Sequence, residues 1–319
     1  MIEEINKTIR EAVAEVYARR KVANYDLQEP DYTVALAIEF PRLLNEKAVM
    51  PNVKYGGCFI HQSPKVTFNI PRVGESSCEL GDLLVLLRKR TMDDTRYNAA
   101  LVQLKKSEKS RFNVTNNREL NQLYLYEKWP EFTMSSTNLE YDVFPKAVTQ
   151  GALYCIIKRT PELMLYMAEP MKKMEYSGEM TFGRFIRDAI HWQTGRTVSD
   201  EAHKDSDVWS RLIWELVQNV RSKAIHEGVF TRTNVGYTDH DKLSDDFLEF
   251  MLNSDENDAI SANVNHLSEG NTKKDFSNGG GTPTNEDSNM RDNEGMGISI
   301  LFIDIDDREK GEERGEQRR

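Results

Sequence analysis

The chain has 319 residues, 39% of them hydrophobic and 29% charged, and a net charge of −10. That length accommodates one large domain or two modest ones, with enough chain to bury a core. Three cysteines without a C-x-x-C spacing exclude a disulfide scaffold or a cysteine-bound zinc site, and no apolar run approaches membrane-spanning length.

The first 22 residues carry Ile2, Ile5, Ile9, Val13 and Val16 at helical spacing, which predicts an amphipathic helix rather than a signal peptide. A soluble, reducing, cytoplasmic setting is the expectation. After a break at Asn24 to Pro30, Asp31 is placed to cap a second helix to about Glu46, although Pro41 weighs against its second half. Cys58 to Ile60 reads as a short strand and Val66 to Ile70 as a better one. His61 between them is a candidate base or phosphate contact, with a structural role preferred for a lone histidine before a proline turn.

The stretch Cys78 to Lys106 holds the sharpest pattern. Two apolar runs, Leu83 to Leu87 and Ala99 to Leu104, flank a polar loop. Five consecutive apolar residues suit a strand covered on both faces. Side chains alternate along a strand, so Asp82, Leu84 and Leu86 share one face. Ala99 and Leu101 share theirs with Gln103 and Lys105. Polar groups on an otherwise apolar face are costly without partners. Asp82 is one candidate partner for them and a bound cation is another. Hard cations take carboxylate and carbonyl oxygens, and a neighbouring lysine stabilises charge developing on a phosphate. The blander reading is a Gly81-Asp82 turn followed by a solvated strand end.

The order Asp82, then Gln103-x-Lys105, resembles the PD-(D/E)xK, or restriction-endonuclease-like, nuclease superfamily in its Gln-x-Lys variant. The resemblance spans roughly Tyr32 to Trp129. It implies an α/β (α+β) fold in which a central mixed sheet, flanked by helices, carries the acid and the Gln-x-Lys on neighbouring strands. It implies Asp82, Gln103 and Lys105 as catalytic residues and Glu39, Asp82 and Gln103 as ligands of Mg²⁺ or Mn²⁺, with Glu39 as the acid from the preceding helix and Glu79 as a fallback for Asp82. The implied activity is hydrolysis of DNA phosphodiester bonds in restriction or phage defence, with RNA as an alternative substrate. Glutamine where the family often has an acid favours a second reading, a nucleic-acid-binding or scaffold subunit that does not cut.

Charge distribution bears on the partner. Residues 251–319 hold 16 acidic and 8 basic residues, leaving 34 basic against 36 acidic in the first 250. A nearly neutral body leaves room for basic clusters, and Arg88-Lys89-Arg90 and Lys105-Lys106 with Lys109 and Arg111 are expected to border the site and meet a phosphate backbone.

Beyond the hairpin, Leu120, Leu123, Tyr124 and Trp129 form a helical stripe ended by Pro130. Tyr141 to Val148, Gly151 to Lys158 and Leu163 to Ala168 read as strands extending the same sheet. Thr181 caps a helix to about Thr194, with Gly195 as its C-cap, and a longer helix covers Val208 to His226. Leu243 to Leu252 reads as a further amphipathic turn or helix. From Asn253 to Gly297 the composition becomes polar and acidic, predicting a disordered linker. Ile298 to Ile305 is a clear strand that needs a sheet edge or a partner chain, a route to a homo-oligomer or a partner subunit. The organisation expected is a core over 1–170, a helical extension over 171–252, the linker over 253–297 and an isolated strand over 298–305.

Overall fold

A computed structural model describes residues 1–20, 26–60, 64–109, 111–146, 151–176, 178–226, 242–243, 247, 250 and 298–308. In chain order, α1 (Ile2–Arg19) is followed by α2 (Glu29–Val34), which runs through a π turn (Ala35–Glu39) into α3 (Phe40–Lys47). Then come β1 (Val53–Phe59), β2 (Lys65–Ile70), β3 (Gly74–Glu79), β4 (Leu83–Arg90), β5 (Thr95–Lys106), β6 (Arg111–Asn113), α4 (Asn117–Lys128), β7 (Phe132–Met134) and β8 (Glu140–Tyr141). The remainder is β9 (Ala152–Lys158), β10 (Met164–Ala168), β11 (Lys173–Glu175), α5 (Phe182–Ile190), β12 (Arg196–Val198), a 3-10 turn, α6 (Val208–His226), β13 (Lys242–Leu243) and β14 (Ser299–Asp306). His61, the linker 253–297, most of the 243–252 segment and the charged terminus from 309 onward lie outside the described residues.

The central sheet is mixed, in the order β10-β9-β5-β4-β14-β1-β13, with β12 also paired to β5. β4 and β5 are antiparallel, while β9 runs parallel to β5 and β14 parallel to β4. The two faces follow from the period of two. Leu84, Leu86, Leu101, Tyr154, Ile300 and Phe302 face a core closed by α4 and α6. Leu83, Val85, Val102, Cys155, Leu301 and Ile303 face one closed by α1, α3 and α5. Each strand is therefore covered twice, which is why its apolar run is unbroken.

Several expectations change in the folded chain. Helix formation continues through Pro41 to Lys47 because the preceding turn is π, with the Phe40 N–H reaching the Ala35 carbonyl. In that register the donor proline lacks is not required of the regular ladder. The 171–252 segment is not helical throughout, although its two long helices do pack on the core. The α5 and α6 helices cover opposite faces of the central sheet, and β12 lies in that sheet. Gly195 does not cap α5, which ends at Ile190 with His191 as its C-cap. Gly195 takes φ +85° where a Cβ would stand 2.7 Å from Asn98. Tyr141 belongs not to the central sheet but to a second one, β3-β2-β7-β8.

The C-terminal strand differs most from expectation. It is neither isolated nor at an edge. The β14 strand lies between β4 and β1, with ladders on both sides. Its residues alternate between the two cores, and the Ser299 hydroxyl donates to the Ile60 carbonyl and accepts from the Ile60 N–H. A strand apolar on both faces is satisfied only in the interior of a sheet. No helix among the described residues is long and apolar enough to cross a membrane.

Candidate active site

Asp82 directly precedes β4, and its N–H donates to the Val102 carbonyl of β5 at 3.0 Å. The ladder pairs Leu83 with Val102, so Asp82 stands level with Gln103. Its carboxylate accepts from the Gln103 side-chain amide and, at 2.6 Å, from the Leu104 N–H. Lys105, one pleat farther along the same face as Gln103, lies close enough for the two charges of Asp82 and Lys105 to act on each other. The structure thus brings Asp82, Gln103 and Lys105 together at one end of the hairpin.

Glycine matters at position 81. A Cβ there would sit 2.8 Å from the Tyr126 hydroxyl, which donates to the Leu80 carbonyl at 2.7 Å. The bare backbone lets α4 close over the site. Tyr154, level with Gln103 on the neighbouring parallel strand β9, forms the rest of that wall and stacks edge-on with Tyr126.

Burial dominates the electrostatics. It pushes the Asp82 carboxyl up to about 7, against the opposing pull of Lys105 and of the Leu104 N–H. Burial also disfavours the Lys105 charge, but Glu29 and Asp82 outweigh it and raise the ammonium's pKa. The nearby Cys78 thiol is driven by burial to about 12 and the Tyr154 phenol higher still, so neither ionises near neutral pH. A carboxyl poised near 7 beside a firmly protonated lysine is an acid–base arrangement of the kind active sites carry.

The helix acid is not the one expected. Glu39 is buried on the π turn, paired with Arg19 at 2.6 Å and Arg42 at 3.2 Å. Burial disfavours its charge, but the two guanidinium groups prevail and lower its pKa. Its oxygens serve that structural cluster, and it faces neither Asp82 nor Lys105. Glu29, at the start of α2, is the acid that reaches Lys105 instead. One of its oxygens meets the Lys105 ammonium at 3.2 Å, and the other accepts from the Lys106 N–H at 3.2 Å. Glu79 is exposed at the end of β3, and its charge acts on both Asp82 and Lys105. Glu29 carried one sequence signal, an acid in the first turn of a helix before the hairpin, and ten residues separate it from the position expected.

The oxygen donors here suit a hard cation in kind. Among the described residues no three His, Cys, Asp or Glu side chains converge on a metal position. The donor set of this site includes an amide, however. Among the described residues the buried Gln103 Oε1 has no hydrogen-bond partner, and neither does the buried Tyr154 hydroxyl. An ionisable carboxyl plus an amide oxygen that lacks a donor is a two-oxygen start, and Mg²⁺ commonly fills its remaining positions with water and substrate phosphate.

The basic clusters separate. Arg88-Lys89-Arg90 lies at the other end of β4, about 20 Å from Asp82 at the usual rise of a strand. These residues do not border the site. Arg88 and Arg90 bind Asp304, and Lys89 binds Asp307. Lys106 is likewise engaged by Asp26. Comparison with protein-family models, curated proteins and solved structures gives no match.

Proposed function

We propose that this chain is a Mg²⁺- or Mn²⁺-dependent nuclease of the restriction-endonuclease-like kind, hydrolysing DNA phosphodiester bonds in restriction or phage defence. One observation carries the reading. Asp82, Gln103 and Lys105 lie on one face at the end of two neighbouring strands, and an acid from the preceding helix, Glu29, reaches the lysine. A divalent ion, when bound, supplies Lewis acidity and lowers the pKa of water. Asp82 and the free Gln103 Oε1 are the groups to hold it. Lys105 keeps its proton, and its ammonium stabilises negative charge on the phosphate. Glu29 fixes the direction of that ammonium. Tyr126 and Tyr154 close the site from the α4 side and limit water.

The test is incubation of supercoiled plasmid with the full chain and Mg²⁺ or Mn²⁺. Nicking or linearisation is expected, and it should vanish in Asp82→Ala and Lys105→Ala at unchanged circular dichroism. Equal cleavage by both variants and the wild type would refute the assignment. A second reading, a nucleic-acid-binding subunit that does not cut, is favoured by the way Gln103 donates to Asp82 and Glu29 occupies Lys105. That reading predicts a wild-type chain that retards DNA in a gel, with or without metal, and leaves it whole.

A further inference from the structure

Most of the cations in this fold are spent. Arg88, Lys89 and Arg90 are bound by Asp304, Asp306 and Asp307. Lys105, Lys106 and Arg159 are bound by Glu29, Asp26 and Glu108. One place gathers exposed cations with no ion pair among the described residues. It is the two-stranded ribbon of β6 and β11 with its approaches, where Lys109, Arg111, Lys172 and Lys173 cluster.

The ribbon's pairing fixes which way these residues face. Phe112 is level with Met174, and both turn inward onto the core that also holds Tyr126 and Tyr154, the aromatic wall of the candidate site. Arg111, Asn113 and Lys173 alternate with them and are exposed. Glu175, level with Arg111, is the one acid on the two strands, against two basic residues on them and two more within two positions before them. Glu108, the nearest other carboxylate on the approach from β5, is held by Arg159 and Thr160. Arg118, exposed in the first turn of α4 just beyond β6, adds a fifth cation without an ion pair.

Position matters as much as charge. Six residues separate Lys105 from Arg111, a span of at most about 20 Å fully extended. The approaches of the two strands are tied to each other, since the Tyr176 hydroxyl donates to the Lys109 carbonyl and the Val114 N–H to the Lys172 carbonyl. The cations of β6 therefore lie within about 20 Å of Lys105, and the ribbon's inward side chains pack into the core on the side of the sheet that Asp82 shares with Leu84 and Leu86. Phosphodiester backbones are held by such lysines and arginines, whose binding releases condensed counterions.

We propose that the β6–β11 ribbon is the surface that grips the sugar-phosphate backbone of duplex DNA next to the candidate site, through Arg111, Lys172 and Lys173. The choice of DNA rests on the nuclease reading of the site, whereas the surface is tested without cleavage. The probe is a fluorescein-labelled 30-base-pair duplex, titrated with the full chain in EDTA by anisotropy at several salt concentrations. The triple variant Arg111→Ala/Lys172→Ala/Lys173→Ala should bind roughly ten- to a hundredfold more weakly, and its log Kd against log salt slope should be shallower by about two to three, near 0.9 per lost phosphate contact. Lys7→Ala/Lys54→Ala, which removes exposed charge on α1 and β1, should change neither quantity. No duplex binding by the wild type, or equal affinity and slope in the triple variant, overturns the ribbon as the DNA surface. The two readings fail separately. A chain that binds through the ribbon yet never cuts with Mg²⁺ or Mn²⁺ keeps the surface and loses the nuclease. A chain whose triple variant still binds and cuts like the wild type keeps the nuclease and loses the surface.

Discussion

The two ends of the β4–β5 hairpin carry the same kinds of residue and treat them in opposite ways. At the far end, Arg88 meets Asp304 with two parallel bonds of 2.9 Å, Arg90 adds a third at 2.6 Å, and Lys89 reaches Asp307. Cations and carboxylates there are matched. At the near end, Asp82 is held where its charge is disfavoured, and among the described residues Gln103 Oε1 has no donor and Lys105 a single glutamate for its ion pair. Matched charges at one end stabilise. Mismatched groups at the other cost stability, which a protein tolerates where a ligand supplies the missing partner.

The largest effect expected from disturbing this contrast is at the matched end. Removing residues 298–319 takes away Ile298, Ile300, Leu301, Phe302, Ile303 and Ile305, all buried. At about 1.5–3 kcal/mol for each buried side chain, the loss is on the order of 10 kcal/mol or more. That rivals the whole stability of an ordinary domain, about 5–15 kcal/mol. The truncated chain should show no cooperative melt by circular dichroism and should be digested at protease levels the full chain resists. A truncated chain that melts normally would mean the strand is an accessory.

Next in size is Asp304→Ala. It leaves the largely buried Arg88 guanidinium without an ion pair among the described residues, and Arg90 with Asp306 alone. Breaking such a pair costs about 3–5 kcal/mol, so a fall of roughly 10 °C in Tm is expected. DNA cleavage below the transition should persist, because the change lies far from Asp82. Loss of cleavage in a folded variant would tie the two ends together and weaken the contrast.

Much of the near end was legible from the sequence, and the reason is local. Alternation along two adjacent strands suffices to put Asp82, Gln103 and Lys105 on one face, and the pairing of Leu83 with Val102 requires only a short connecting loop. The far end was not legible. Arg88 and Asp304 are 216 positions apart, and nothing in the spacing of either says they meet. The return of β14 to the middle of the sheet is hidden for the same reason: its apolar run asks for a sheet but does not say that β4 and β1 will take it between them. The helix acid failed on geometry of a different kind. Glu29 falls in the Asn24–Pro30 stretch that reads as a break, with Asp31 as the cap, whereas the folded helix starts at Glu29 because Gln28 caps it and Pro30 sits in its first turn, where its missing N–H is no loss.

A smaller effect, with a change of sign, is expected at Asp82. The folded carboxyl titrates near 7 and the unfolded one near 3.8. Between those values the folded chain binds the extra proton, so stability declines as pH rises and the penalty is complete above about pH 7. Asp82→Asn removes it, and its amide can also donate to the free Gln103 Oε1 once that side chain turns. The variant should unfold at higher temperature than the wild type at pH 8, by an equivalent of up to about 4 kcal/mol, with the gain vanishing toward pH 4. Mg²⁺ should raise the wild-type Tm at pH 8 and leave that of the variant alone. A wild type that is more stable at pH 8 than at pH 5, or no more stable with Mg²⁺, would remove the mismatch on which the site assignment depends.

The smallest difference separates the two helix acids and sharpens the contrast within one segment. Glu39→Gln breaks a buried carboxylate away from Arg19 and Arg42, so a loss of about 2–3 kcal/mol in unfolding free energy is expected. Cleavage per folded molecule should be unchanged. Glu29 is about one-third exposed at its side chain, and Glu29→Gln should cost under about 1 kcal/mol in stability. If the chain is the proposed nuclease, its effect belongs in kcat, because Lys105 loses the group that aims it, and a roughly tenfold fall is equivalent to about 1.4 kcal/mol of transition-state stabilisation. DNA affinity in EDTA should stay the same. If Glu39→Gln lowers kcat and Glu29→Gln does not, the acid serving the site is the one on the π turn after all, and the hydrogen bonds at Lys105 and Lys106 only anchor α2 to the end of β5.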